Sequence, residues 1–220
     1  MKYSTYIFDF DYTLADATNG IVESVNYALN MMGLNSESVE DIRKTIGMKL
    51  HDTFRTLTGI PDEQAAEKFF SFFMDKADEV MTNNTVLFND TIPALVRLKQ
   101  CGYNIAIVTT KYKYRIDEVL EKYDIAKVVD YIVGYGEVSE VKPSPEGLFM
   151  TIKHFGIDNK SALFIGDSLI DAHAADNANI DFIAVVTGTT PAHDFLDLPH
   201  IFIARNLTEA VDNIIMQGGQ

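Results

Sequence analysis

Two aspartates, Asp9 and Asp11, stand two residues apart just after a short apolar run, Tyr6-Ile7-Phe8. In an extended backbone alternate side chains share a side, so both carboxylates would point the same way. Two later apolar runs end in Thr109-Thr110-Lys111 and in Gly166-Asp167-Ser168-Leu169-Ile170-Asp171, and a loop between them carries Lys142-Pro143-Ser144-Pro145. Brought together, these groups would crowd carboxylates beside a hydroxyl and a lysine. Like charges at such range raise one another's pKa unless a cation compensates. Magnesium suits the task, because it prefers oxygen ligands, takes one or two carboxylates and keeps waters that a substrate phosphate replaces. Asp9 and Asp167 are the expected ligands. Neutralised by the metal and Lys142, Asp9 would stay ionised and attack phosphorus to form an aspartyl phosphate. Asp11, one pleat further on, would protonate the leaving oxygen and afterwards deprotonate the hydrolytic water. Thr109, the N–H groups after it and Lys142 would hold the transferring phosphoryl oxygens.

These groups need a scaffold that brings distant segments together. The aromatic and β-branched stretch Tyr3 to Phe10 reads as a buried strand. From Thr18 to about Asn84 the pattern is helical: Ile21, Val25, Ala28, Leu29 and Met32 form one stripe, stopped at Gly33. Ile42, Ile46, Leu50, Phe54 and Leu57 form a second, and a longer helix runs from Ala65 through Phe69 and Phe73 to Val80. After Asn89 helices and strands alternate. Strands are expected at residues 104–108, 131–133, 162–165, 182–186 and 201–203. Helices are expected through Ile92 to Leu98 and over residues 114–122, 145–154, 169–178 and 208–216. Ser144 and Pro145 read as N-cap and first position of the third of these helices, and Gly218-Gly219-Gln220 as a frayed tail. Short apolar strands alternating with helices predict an α/β, Rossmann-like core: a parallel sheet with helices on both faces. That core is discontinuous, comprising residues 1–15 and 86–220, with an inserted all-α domain at 16–85. Open parallel sheets bind ligands beyond the C-terminal ends of their strands, so an insertion leaving from such an end is expected to act as a lid.

The four segments, in this order, resemble the four motifs of the haloacid dehalogenase-like hydrolase superfamily. The helical block resembles that superfamily's cap, and Lys142-Pro-x-Pro with this layout resembles the phosphoglycolate phosphatase and β-phosphoglucomutase branch. The resemblance implies Asp9 as nucleophile, Asp11 as acid/base, and magnesium held by Asp9, the Asp11 carbonyl and Asp167. Asp171 is then expected to support the metal or Lys142 from behind. Tyr12, Thr13, Thr110 and Lys111 are expected to meet the substrate. Two departures stand out: Tyr12 and Asn179 occupy positions where glycine is common in the family. Dehalogenases of this fold that attack carbon lack an acid two residues after the nucleophile, so Asp11 favours phosphorus chemistry.

Each residue also has an ordinary explanation. Asp167 and Asp171 suit a helix N-cap and a first-turn acid, both favourable with the macrodipole. Thr109 suits any strand, and Lys142 a solvated loop. Lys111, Lys113 and Arg115 fall where a helix is expected to begin, the unfavourable end for cations, which marks Lys111 as a substrate contact.

Composition narrows the partners. The 220 residues carry 18 Lys plus Arg against 32 Asp plus Glu, a net charge of −14 that disfavours nucleic acid and acidic membranes. Cys101, the single cysteine, cannot form an intramolecular disulfide. No apolar run approaches the ~20 residues of a membrane span. A cytoplasmic monomer or homodimer acting on a small phosphorylated metabolite is expected, with phosphoglycolate leading. Pyrophosphatase, nucleotidase and sugar-phosphate mutase activities use the same scaffold and stay open. A non-catalytic phospho-acceptor resembling a receiver domain is the rival from another class, opposed by chain length and by the late strand that carries a receiver's aspartate.

Overall fold

The computed structural model describes residues 2–218; Gly219 and Gln220 of the expected tail lie outside them, and Gly218 closes the last helix. Two compact units divide the chain, Met1–Ala15 with Leu87–Gln220, and Asp16–Val86. Val86 goes with the helical unit.

Six strands build the first unit: β1 (Thr5–Phe8), β4 (Asn104–Tyr112), β5 (Tyr131–Tyr135), β6 (Ala162–Gly166), β7 (Asp181–Val185) and β8 (Phe202–Ala204). They pair in the order β5-β4-β1-β6-β7-β8, every pairing parallel. Helices α5 (Thr91–Gln100), α6 (Lys113–Lys122), α7 (Glu146–Phe155), α8 (Leu169–Ala178) and α9 (Leu207–Gly218) connect and close them. Alternation along β1 shows how both faces are covered. Tyr6 and Phe8 pack with Leu95, Ile116, Val119 and Val211 of α5, α6 and α9. Ile7 points the other way, into a core with Leu148 of α7 and Ala172 and Ala175 of α8. A strand buried on both faces reads as an unbroken apolar run, which is why β1 shows no polar alternation.

The second unit contains α1 (Thr18–Met31), α2 (Val39–Arg43), α3 (Leu50–Thr58) and α4 (Glu63–Asn84). Val25, Leu29, Ile42, Phe54, Phe69 and Phe73 form its core. The expected second stripe is broken here: the chain turns between α2 and α3, with Gly47 at φ 95°. Ile42 and Phe54 therefore reach the core from separate helices, a break that apolar spacing alone does not reveal. Two two-residue strands, β2 (Ala15–Asp16) and β3 (Val86–Leu87), pair where the chain passes from one unit to the other. Among the described residues, no helix is long and apolar enough to cross a membrane.

Candidate active site

The strand order reverses direction at the centre of the sheet. From β1 the chain goes outward to β4 and β5, then returns to the other side of β1 as β6. A crevice opens at such a switch point, beyond the carboxyl ends of the two flanking strands. Asp9 follows β1 and Asp167 follows β6, and the Asp9 N–H donates to the Ile165 carbonyl at 2.9 Å, continuing the ladder to the edge of the crevice. The topology thus brings two carboxylates 158 positions apart in sequence (167 − 9) to one place.

Past Asp9 the chain stops being extended. The Phe10 carbonyl accepts from the N–H groups of Thr13, Leu14 and Ala15, and Tyr12 sits at φ 60°. Asn179, the other departure from glycine, ends α8 at φ 52°. Both non-glycine residues thus occupy left-handed backbone, which asparagine tolerates readily and tyrosine only against steric cost. The Tyr12 side chain is buried, and its carbonyl accepts a hydrogen bond from the Thr187 hydroxyl.

Lys142 is the centre of the charge arrangement. Its Nζ lies 2.7 Å from Asp9 Oδ1 and 2.6 Å from Asp171 Oδ1, with all three side chains buried. Asp171 is largely committed, since its Oδ2 accepts from the Ser168 N–H at 3.1 Å and from the Ser168 hydroxyl at 2.6 Å. The ordinary reading of Asp171 as a first-turn acid is therefore correct as far as it goes: it completes a capping box on α8. The same carboxylate also anchors the lysine. Ser168, not Asp167, is the N-cap, which leaves Asp167 free of the helix.

Oxygens of Asp9, Asp167 and Asp171 lie within 4.8 Å of one another. Burial pushes the Asp9 carboxyl up to about 7, against the pull of Lys142, with Asp171 and Asp11 adding to the rise. Burial also holds Asp167 well above the usual carboxylate range, helped by the charges of Asp171 and Asp9. Burial would lower the Lys142 ammonium, but Asp171 and Asp9 outweigh it and raise it. One ammonium cannot neutralise three buried carboxylates at once. Among the described residues, Asp9 Oδ1, although close to Lys142, receives no well-directed hydrogen bond, and neither does the buried Asp11 Oδ1. Asp167 accepts from the Thr13 hydroxyl at 3.1 Å through Oδ1, while its Oδ2 lies against Gly188. An all-oxygen set with surplus charge and underused lone pairs fits a hard divalent cation.

Asp11 stands apart from this cluster. Its Oδ2 pairs with Lys111 Nζ at 2.9 Å, so the two aspartates of the first motif answer to different lysines. Thr109 is buried, and its Oγ1 accepts from the Lys111 N–H at 3.3 Å, which leaves the hydroxyl proton for another acceptor. Thr110 is half-buried on β4. Lys111 belongs to β4 and not to the start of a helix, because the strand continues through an irregularity in its pairing with β5 between Val108 and Tyr112. The macrodipole argument therefore does not apply to it. Lys113, which does begin α6, pairs with Asp117 at 2.6 Å.

The loop that presents Lys142 is held differently from expectation. Pro145 is the N-cap of α7 and Glu146 its first residue, one position later than the expected start, and the Ser144 hydroxyl accepts from the Glu146 N–H at 3.3 Å. The Lys142–Pro143 peptide is cis. The Glu146 carboxylate gathers the N–H groups of Ser139 and Glu140, and Asn177 of α8 donates to the Pro143 carbonyl at 2.9 Å. Sequence spacing carries no signal for Glu146 or Asn177. Thr187 and Gly188 were within reach, because they follow β7 at a strand end, where polar and small residues concentrate around a site.

A family model described as haloacid dehalogenase-like hydrolase matches residues 6–185. The chain belongs to the haloacid dehalogenase-like hydrolases. Among curated relatives of this hydrolase, the pyrophosphatase PpaX of Bacillus cereus strain G9842 is 31% identical over 186 residues, 84% of each chain. PpaX of Bacillus mycoides strain KBAB4 is 29% identical over 185 residues, again 84% of each. A solved structure from Bacteroides fragilis, named as a haloacid dehalogenase-like hydrolase, superposes with a TM-score of 0.92 at 39% identity, covering 95% of this chain and 100% of that one. One from Haemophilus somnus, named as a predicted phosphoglycolate phosphatase, shares the fold with a TM-score of 0.86 at 23% identity, covering 100% and 99%.

Proposed function

We propose that this hydrolase is a magnesium-dependent phosphatase that cleaves a small phosphate monoester, with phosphoglycolate as the leading substrate. The observation that carries the reading is the separation of two acids by environment. Asp9 sits in the buried cluster with Lys142, and Asp11 sits outside it with a lysine of its own. Asp9, beside the Lys142 ammonium and the candidate cation ligands, suits a nucleophile, and Asp11, on a lysine outside that cluster, suits an acid/base.

In the proposed reaction an Asp9 oxygen bonds to phosphorus as the bond from phosphorus to the leaving oxygen breaks. Asp11 gives that oxygen its proton. Asp11 then takes a proton from a water, whose oxygen attacks phosphorus and expels Asp9, releasing inorganic phosphate. Lys142 favours the ionised Asp9 against the opposing effect of burial, and the Thr109 hydroxyl donates to a phosphoryl oxygen. Asp9, Asp167 and the main-chain carbonyl of Asp11 would hold magnesium, which supplies charge to offset that of the phosphoryl group. Thr13 fixes the orientation of Asp167. The inserted helical unit is read as the cap that the resemblance in sequence implies.

Pyrophosphate is the second reading, favoured by the PpaX relatives at 29% and 31% identity. The receiver-like alternative is disfavoured because Asp9 follows the first strand, whereas a receiver's acceptor follows a later one. Phosphate release across phosphoglycolate, pyrophosphate, nucleoside monophosphates and sugar phosphates, with magnesium and with chelator, tests the proposal. Turnover of a small monoester that chelator abolishes is expected. Absence of phosphate release from every compound, or turnover indifferent to chelator, would refute it.

A further inference from the structure

We propose that Lys111 selects substrates whose leaving group carries its own anionic group, centred on an atom one or two bonds from the scissile oxygen. This rests on the phosphatase reading and extends it to substrate class.

Lys111 is built into the site. Its side chain retains 7% exposure, and its Nζ contacts Asp11 Oδ2 at 2.9 Å. The β4 irregularity that turns it there is closed by Gly134 of β5, where a Cβ would come within 2.7 Å of the Lys111 carbonyl and 2.6 Å of the Lys113 N–H. An ammonium has three donors. Among the described residues Asp11 is the acceptor that Lys111 contacts, so two donors of a nearly buried cation are left for a ligand. Neighbouring cations are engaged elsewhere: Lys113 with Asp117, Arg115 with the Tyr114 hydroxyl at 3.0 Å, and Lys142 with Asp9 and Asp171.

Geometry sets the reach. Two oxygens on one ammonium, each about 2.9 Å from nitrogen, lie about 5 Å apart. One of them is the acid that must come within about 3 Å of the leaving oxygen to protonate it. An anionic group on the other donor is therefore only a few ångströms from the leaving oxygen. A carboxylate on the adjacent carbon, or a phosphoryl group bonded directly to the leaving oxygen, satisfies this. A charge at the far end of a sugar or nucleoside does not. Elsewhere the site is acidic, with Asp9, Asp11, Asp167 and Asp171 around it, so a second anionic group has little else to meet.

The experiment compares 2-phosphoglycolate with its uncharged amide, and runs pyrophosphate as a separate arm, on the magnesium-loaded full chain. In the wild type, kcat/KM is expected to favour phosphoglycolate over the amide by about 10–100-fold, the range of one hydrogen bond to a charged group. Lys111→Met should collapse that preference mainly through KM, and Lys111→Arg should restore part of it. Circular dichroism verifies folding of both variants. If pyrophosphate is the better substrate, a loss of its kcat/KM in Lys111→Met that Lys111→Arg partly restores supports the proposal, and pyrophosphate turnover unchanged by Lys111→Met overturns it. Equal turnover of phosphoglycolate and amide by the wild type, which needs no variant, would overturn the proposal. So would an equal loss on both in Lys111→Met. If the wild type releases phosphate from neither, nor from any compound in the wider screen, the phosphatase reading has failed, and not only the role of Lys111.

Discussion

Replacing Lys142 by methionine removes the ammonium that lies 2.7 Å from Asp9 and 2.6 Å from Asp171 while keeping most of the side-chain volume. Two buried carboxylates lose their shared partner, and Asp167 remains beside them. Removing one member of a buried ion pair typically costs about 3–5 kcal/mol. For a chain of this size that corresponds to a fall in Tm of about 6–20 °C. The loss should depend on pH. In the wild type without metal, the native Asp9 carboxyl titrates at about 7, against 3.8 as its ordinary value. The native state therefore binds the extra proton between those values, and stability falls as pH rises through that window. Without Lys142 the native carboxyl holds its proton still more tightly, so the unfavourable window extends upward. The gap between variant and wild type should widen from pH 5.5 to pH 8.5. The chain has no tryptophan, so far-ultraviolet circular dichroism or calorimetry in chelator is the appropriate assay. A Tm loss below about 3 °C at pH 8.5, or an equal loss at both pH values, would show that the lysine does not compensate these carboxylates.

Asp9→Asn should abolish turnover while keeping the fold, and acid-quenched protein should carry no covalent phosphoryl group; residual phosphorylation would move the nucleophile elsewhere. Asp11→Asn should lower kcat by about 10²–10⁴-fold, the usual worth of a positioned acid/base, with magnesium affinity by calorimetric titration changed less than about twofold. A large loss of affinity would mean that the side chain, and not the carbonyl, serves the metal. Gly188→Ala places a Cβ 1.9 Å from Asp167 Oδ2, so Asp167 must swing away. Magnesium affinity should then fall by at least about tenfold, the scale seen when groups orienting metal ligands are disturbed, and unchanged affinity would show that this oxygen does not face the cation.

Much of the molecule is decided locally and can be read from the chain. A strand buried on both faces must be apolar throughout, so β1, β6 and β7 show themselves as short runs of such residues. Polar residues just past those runs stand out because a sheet edge is where backbone and side chains meet solvent or ligand. Asp9, Asp11, Thr109, Asp167 and Asp171 were visible for that reason, and Leu169–Ala178 was legible as a helix to its last residue. Which charge meets which is a different matter. The Lys142 contacts with Asp9 and Asp171, the Lys111 contact with Asp11, and the approach of Gly188 to Asp167 join residues that are far apart in the chain. The contacts of Asp9 with Lys142 and of Lys111 with Asp11 depend on the sheet order that sets β1 between β4 and β6, and the approach of Gly188 to Asp167 on the pairing of β7 with β6. Spacing along one chain carries no record of that order. Nor does it show where a strand bulges or a helix starts one residue late, since packing against neighbours settles both. Position at the ends of apolar strands therefore marked the candidate groups, and three-dimensional pairing gave Asp9 and Asp11 their separate lysines.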